Sequence, residues 1–218
     1  MIRKFKVFGL ALVSVIALGA ASASAAFAVE AHSGSGSATT FLTGTQIGTN
    51  QLDTEGGNIK CSGVNLAAKY SGTTAATVDV TPSYTGCTAF GLTAHIDFMG
   101  CFYRFTSITA SHIDVNVLCP PGTGPVTIIV TQGGNVVCTV DVAEQTVPAN
   151  VTNEAGSPDD LKVTPESTSI GYTVTYPGGT GTKCGGVGAH SDGTYTGSVT
   201  ARAYENESHT AQVSLTYN

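Results

Sequence analysis

"CFYRFTSITASHIDVNVLC", residues 101–119, decides how this chain folds. Apolar and polar residues alternate on both sides of Ala110, the signature of half-buried strands rather than of a helix. In an antiparallel pair, residues whose numbers have a constant sum lie opposite one another. A turn near Ala110 therefore sets Cys101 against Cys119, Tyr103 against Val117 and Phe105 against Val115. All of these are apolar, as one buried face requires. The other face carries Phe102 and Arg104 against Leu118 and Asn116. Directly opposed cysteines can bond where the pair is not hydrogen-bonded, because their Cβ atoms are then close. The stretch predicts a β-hairpin closed by a disulfide.

The same alternation recurs along the chain, for example in "AATVDVTPSY" and "NVVCTVDV", divided by turn signals such as Glu55-Gly56-Gly57, Met99-Gly100, Pro120-Pro121-Gly122 and Gly133-Gly134. Many short strands with frequent turns predict an all-β fold, an antiparallel β-sandwich of immunoglobulin-like or jelly-roll-like form. Residues 39–218 are read as the sandwich domain and residues 29–38 as a flexible lead-in. The looser stretch at 143–160, "AEQTVPANVTNEAGSPDD", is the candidate sub-boundary, so the reading leaves one large sandwich or two small ones open.

Six cysteines, Cys61, Cys87, Cys101, Cys119, Cys138 and Cys184, are an even number, and six allow 15 complete pairings. Register favours Cys101–Cys119. Cys61 and Cys87 bracket a hairpin-sized segment and form the second expected pair. Cys138 shares an inward face with Val136, Val140 and Val142, which leaves it Cys184. Neither the Cys-x₂₋₄-Cys spacing of zinc sites nor the Cys-x-x-Cys of redox sites occurs. Disulfides are expected, and no metal or cofactor.

The segments "LTGTQ", "GCTAFG", "GCFYRF", "CPPGTG" and "SDGTYTGSVT" resemble those of an uncharacterised group of small secreted, threonine- and glycine-rich β-proteins of high-GC Gram-positive bacteria. The resemblance spans most of the chain beyond the N-terminal segment. It implies cysteines paired in sequence order, and it implies no activity.

Residues 1–28 read as a secretory signal. Arg3, Lys4 and Lys6 precede an apolar stretch, Val7 to Ala20, and Ala26-Phe27-Ala28 fits the small-x-small cleavage rule. That stretch is short for a roughly 30 Å hydrocarbon core, so export in soluble form without a stable membrane anchor is expected. The whole chain has 9 basic and 15 acidic residues; without Arg3, Lys4 and Lys6 it has six basic against 15 acidic, net −9. No basic stripe is present to meet nucleic acid. Charged residues are only 11% of the chain, against a usual share of about 25%, and threonine, glycine and serine replace them. Threonine suits the exposed face of a strand.

Candidate chemistry centres on two His-x-Asp patterns, His95 with Asp97 and His112 with Asp114. If Met99-Gly100 is a two-residue turn, His95 opposes Arg104. His95, Asp97, Arg104, Asp114 and Asn116 then form a polar surface band. Such a band suits a general base beside a carboxylate, and equally a solvated sheet face with cross-strand charge pairs. The second is favoured, because a flat face excludes no water. Glu154, Asp159, Asp160 and Asp192 are a weak calcium set without an EF-hand loop. The expected function is that of a secreted, non-enzymatic structural, adhesive or surface-interaction protein, its partner a cell-surface polymer or protein. The alternatives are a glycan- or cell-wall-binding module using Tyr195 or Tyr204, and a hydrolase using an exposed His-Asp pair.

Overall fold

Period-two alternation becomes strand almost throughout the computed structural model, which describes residues 30–179 and 181–218. The expected signal, residues 1–28, lies outside the described residues. In chain order the strands are β1 (Ala31–Ser33), β2 (Thr39–Thr54), β3 (Gly57–Ser71), β4 (Thr74–Ala75), β5 (Thr77–Ala89), β6 (Leu92–Asp97), β7 (Phe102–Thr109) and β8 (His112–Leu118). They continue with β9 (Val126–Gln132), β10 (Asn135–Val142), β11 (Gln145–Glu154), β12 (Asp160–Pro165), β13 (Ser167–Thr175), β14 (Gly188–Tyr204), β15 (Gln212–Val213) and β16 (Leu215–Tyr217).

Four strands, β2, β3, β5 and β14, run 13 to 17 residues where about 5–6 is usual. They lie side by side in the order β5-β3-β2-β14. At each outer edge of this long sheet, two different strands share one long strand. On β5, Thr77–Val80 pairs with β7 and Cys87–Ala89 with β6. On β14, Val199–Ala201 pairs with β12 and Gly188–Tyr195 with β13. The pairings β7-β8-β11-β12 and β6-β9-β10-β13 then close two rings of eight strands, which share the four long ones. All strands in the rings pair antiparallel. The all-β antiparallel architecture is the one expected from the sequence; its pairing continues around the sandwich instead of stopping at two open sheets. Closure removes the unpaired edges through which strands aggregate.

The chain weaves between the rings. From β6 it crosses to β7 and β8, returns to β9 and β10, crosses again to β11 and β12, and returns to β13. These crossings define a waist, where several ties meet. Cys101, on the first crossing, bonds Cys119 on the second. The Cys119 amide donates to Glu144 Oε1 at 2.7 Å, and Gln145 exchanges two hydrogen bonds with the Gly171 backbone, at 2.9 and 3.1 Å.

The β7–β8 register is the one derived above, with Tyr103 opposite Val117 and Phe105 opposite Val115. Cys61 stands directly opposite Cys87, with Cα atoms 4.0 Å apart, and the two are bonded. The third bond, Cys138–Cys184, is fully buried. One continuous core joins both rings, from Val80, Ile113 and Leu161 to Ile59, Val130 and Val174.

Two segments are more ordered than the composition implied. Ala31–Ser33, within the expected lead-in, pairs with β16 and β4. Residues 145–154 of the expected loose stretch form β11, paired on both sides. β11 is rich in polar residues because it offers one face to solvent, whereas in β1 the buried residue is itself polar, Ser33 Oγ lying 2.8 Å from Thr40 Oγ1; composition alone reads both as loop.

Candidate functional site

The polar band expected around His95 is not assembled. Met99 and Gly100 have φ of 49° and 89°, and this turn sends the chain across the waist instead of back along β6. Strand β6 pairs with β5 and β9, so His95 stands opposite Ile129, not Arg104. His95 is exposed, and Asp97 Oδ1 accepts the Met99 amide at 2.9 Å, fixing the turn.

Arg104 lies opposite Asp79 and Asn116. Its guanidinium donates two hydrogen bonds to the Asp79 carboxylate, at 2.6 and 2.8 Å, and sits 5.6 Å from the centre of the Phe102 ring. The guanidinium, chiefly through these hydrogen bonds, holds the Asp79 carboxyl below its ordinary range. Asp114 lies between Thr106 and Pro148. His112 Nδ1 is engaged by Ser111 Oγ at 2.8 Å and Thr109 Oγ1 at 3.2 Å. Asn116 instead joins the Arg104 ladder, accepting from Thr146 Oγ1 at 2.6 Å. What remains of the band is a set of cross-strand pairs on one sheet face.

The acidic candidates are dispersed. Asp160 pairs with Arg202 at 2.9 Å, Asp159 caps the Gly156 amide at 3.0 Å, and Asp192 accepts from Tyr172 at 2.8 Å in the other ring. The two tyrosines considered as a binding platform are also committed elsewhere. Tyr204 packs against His209, ring centres 4.9 Å apart. Tyr195 turns inward, and its hydroxyl donates to Asn50 Oδ1.

That inward turn points to the arrangement which sequence reasoning missed. At the waist lies a cavity of about 160 Å3 whose lining comes from both rings and, among the described residues, contains no charged side chain. Tyr84 of β5 and Tyr103 of β7 line it and share a hydrogen bond of 2.9 Å. Phe98, on the crossing between β6 and β7, stacks on Tyr84 at 5.7 Å and meets Tyr103 edge-on at 5.4 Å. Tyr195, Asn50, Gln51 and Gln145 make up the rest of the polar part of the wall. Burial, more than any neighbour, raises the hydroxyl pKa of Tyr84, Tyr103 and Tyr195 well above the ordinary tyrosine range. All three are therefore neutral hydrogen-bonding groups rather than bases.

The sequence held one signal for this cluster. Tyr103 falls on the apolar face with Cys101 and Phe105, and an inward tyrosine needs a partner for its hydroxyl. Which strand supplies that partner depends on the β5–β7 pairing, a long-range contact that alternation does not reveal. Comparison with protein-family models, with curated proteins and with solved structures finds no match to this chain.

Proposed function

We propose that the chain is an exported, non-enzymatic surface-interaction protein whose partner is a hydroxyl-rich cell-surface polymer. The observation that carries this reading is the outer face of the four long strands. Across β14, β2, β3 and β5, one row reads Thr200, Thr45, Asn65, Ser83 and the next Arg202, Thr43, Ala67, Thr81. Thr45, Asn65, Ser83, Ala67 and Thr81 are exposed, while Leu66, Val80 and Val199 point into the core. With strands about 4.8 Å apart, four strands present short polar side chains over about 14 Å. Threonine is stiff at χ1, so these hydroxyls lose little freedom on meeting a partner. Arg202, the charged member of these rows, is paired with Asp160 at 2.9 Å, and the short uncharged side chains around it suit a neutral glycan better than a charged one.

Export rests on the N-terminal pattern together with three disulfides, which persist in oxidising surroundings. The non-enzymatic reading rests on the commitments of Asp97, Arg104 and His112 to turn and cross-strand bonds. Co-sedimentation of the mature chain with isolated cell wall and with insoluble chitin and cellulose tests the proposal. Retention is expected for the native chain and not for Thr45→Lys/Thr81→Lys. A native chain left in the supernatant with every polymer would overturn it.

A further inference from the structure

The geometry points to an interior binding site, independent of the outer face, for a small neutral molecule with an apolar body and one hydrogen-bond-accepting oxygen. The cavity at the waist takes the body, and the side-chain amide of Asn50 takes the oxygen.

Size supports the apolar part. An engineered protein cavity of about 150 Å3 with apolar walls stays dry and admits benzene, and this one measures about 160 Å3. Its walls are built from side chains such as Ile59, Val64, Val117, Ile128 and Val199. With no charged side chain in the lining among the described residues, an ionic ligand would be left without a counter-charge.

Asn50 supplies the polar part. It is only 3% exposed, and its Nδ2 has no hydrogen-bond partner among the described residues, although its Oδ1 accepts from Tyr195. Buried amide donors are almost always paired, so an orphan facing a cavity asks for an acceptor. The backbone is shaped around this side chain. The β2–β3 register slips between Thr45 and Asn50, and the β14–β2 register slips between Thr196 and Ser198. Gly197 lies inside that second slip, and a Cβ there would fall 2.3 Å from Asn50 Oδ1. The bulge thus clears the space that Asn50 occupies, as bulges beside functional sites commonly do.

Acetophenone and ethylbenzene are suitable probes, being close in shape and differing in the carbonyl oxygen. Titration calorimetry on the disulfide-bonded mature chain should show one site for acetophenone. In Asn50→Leu, the preference for acetophenone over ethylbenzene should fall about tenfold, the loss expected for one hydrogen bond. Val147→Phe, which fills the cavity, should abolish binding of both. A measurement on the native chain stands if Asn50→Leu does not fold: the Asn50 side-chain amide resonances should shift with acetophenone and not with ethylbenzene. Failure of both probes to bind, or an Asn50 amide that answers only to water, would overturn the inference. Because the outer-face variants leave this cavity intact, its failure is separable from that of polymer binding.

Discussion

The hydroxyls of Tyr84 and Tyr103 meet at 2.9 Å across the boundary between β5 and β7, inside the cavity that joins the two rings. Burial raises both pKa values, and that of Tyr195 beside them. A raised folded-state value means that the native state holds these protons after the unfolded state has released them. Their contribution is fully present below the unfolded value of about 10 and is lost as pH rises beyond it. Stability from urea unfolding should be flat near neutrality and fall above pH 10. In Tyr84→Phe/Tyr103→Phe the fall should be shallower. Equal slopes in the two proteins would remove the cluster as its cause.

The three disulfides should differ in worth according to the loops they close. Their sequence separations are 18 for Cys101–Cys119, 26 for Cys61–Cys87 and 46 for Cys138–Cys184. In the chain-entropy account each contributes roughly 2–4 kcal/mol, and the longest exceeds the shortest by about 0.8 kcal/mol. Paired Cys→Ala variants, compared by urea unfolding, should therefore rank Cys138/Cys184 as the most costly. A ranking led by Cys101/Cys119 would show that clamping two waist crossings outweighs loop length.

Gly56 packs its Cα side against the loop that carries Cys184. A Cβ there would lie 2.3 Å from both the carbonyl carbon and oxygen of Cys184, and backbone cannot swing aside as a side chain can. Gly56→Ala should cost about 1–3 kcal/mol, in the range of overpacking, and should speed reduction of Cys138–Cys184 by dithiothreitol. Gly36→Ala is the control, since its nearest contact would be Glu205 Oε1 at 3.7 Å. Calorimetric unfolding that shifts equally for both variants would contradict this account.

The β7–β8 register was legible because its two strands adjoin in sequence, and constant-sum pairing placed Cys101, Tyr103 and Phe105 on one face. Cys61–Cys87 was legible for a related reason: its cysteines bracket neighbouring strands. Ring closure was not legible. It depends on β5 and β14 changing partners midway, and the alternation within a long strand is the same whichever neighbour lies beside it. The expected partner of His95 failed at a single turn. Met99-Gly100 reads equally as a hairpin and as a crossing, and only packing of Phe98 against Tyr84 and Tyr103 distinguishes them. Asn50 gave no signal, since a lone asparagine at the start of the strand in "NQLDTEGGNIKC" carries no mark of burial.

Asp79 and Arg104 contribute to the acid limb of stability. The Arg104 guanidinium lowers the Asp79 pKa, chiefly through their hydrogen bonds. A lowered folded-state value gives stability that is present above the unfolded carboxylate value of about 3.9 and lost as pH falls through the folded one. Both side chains are about half exposed, at 41% and 50%, so solvent screening keeps the effect small. Asp79→Asn should leave unfolding at pH 7 nearly unchanged and flatten the decline below pH 4. Urea unfolding of the two proteins from pH 2 to 8 makes the comparison. A decline below pH 4 that is equally steep in both would remove the pair as a contributor.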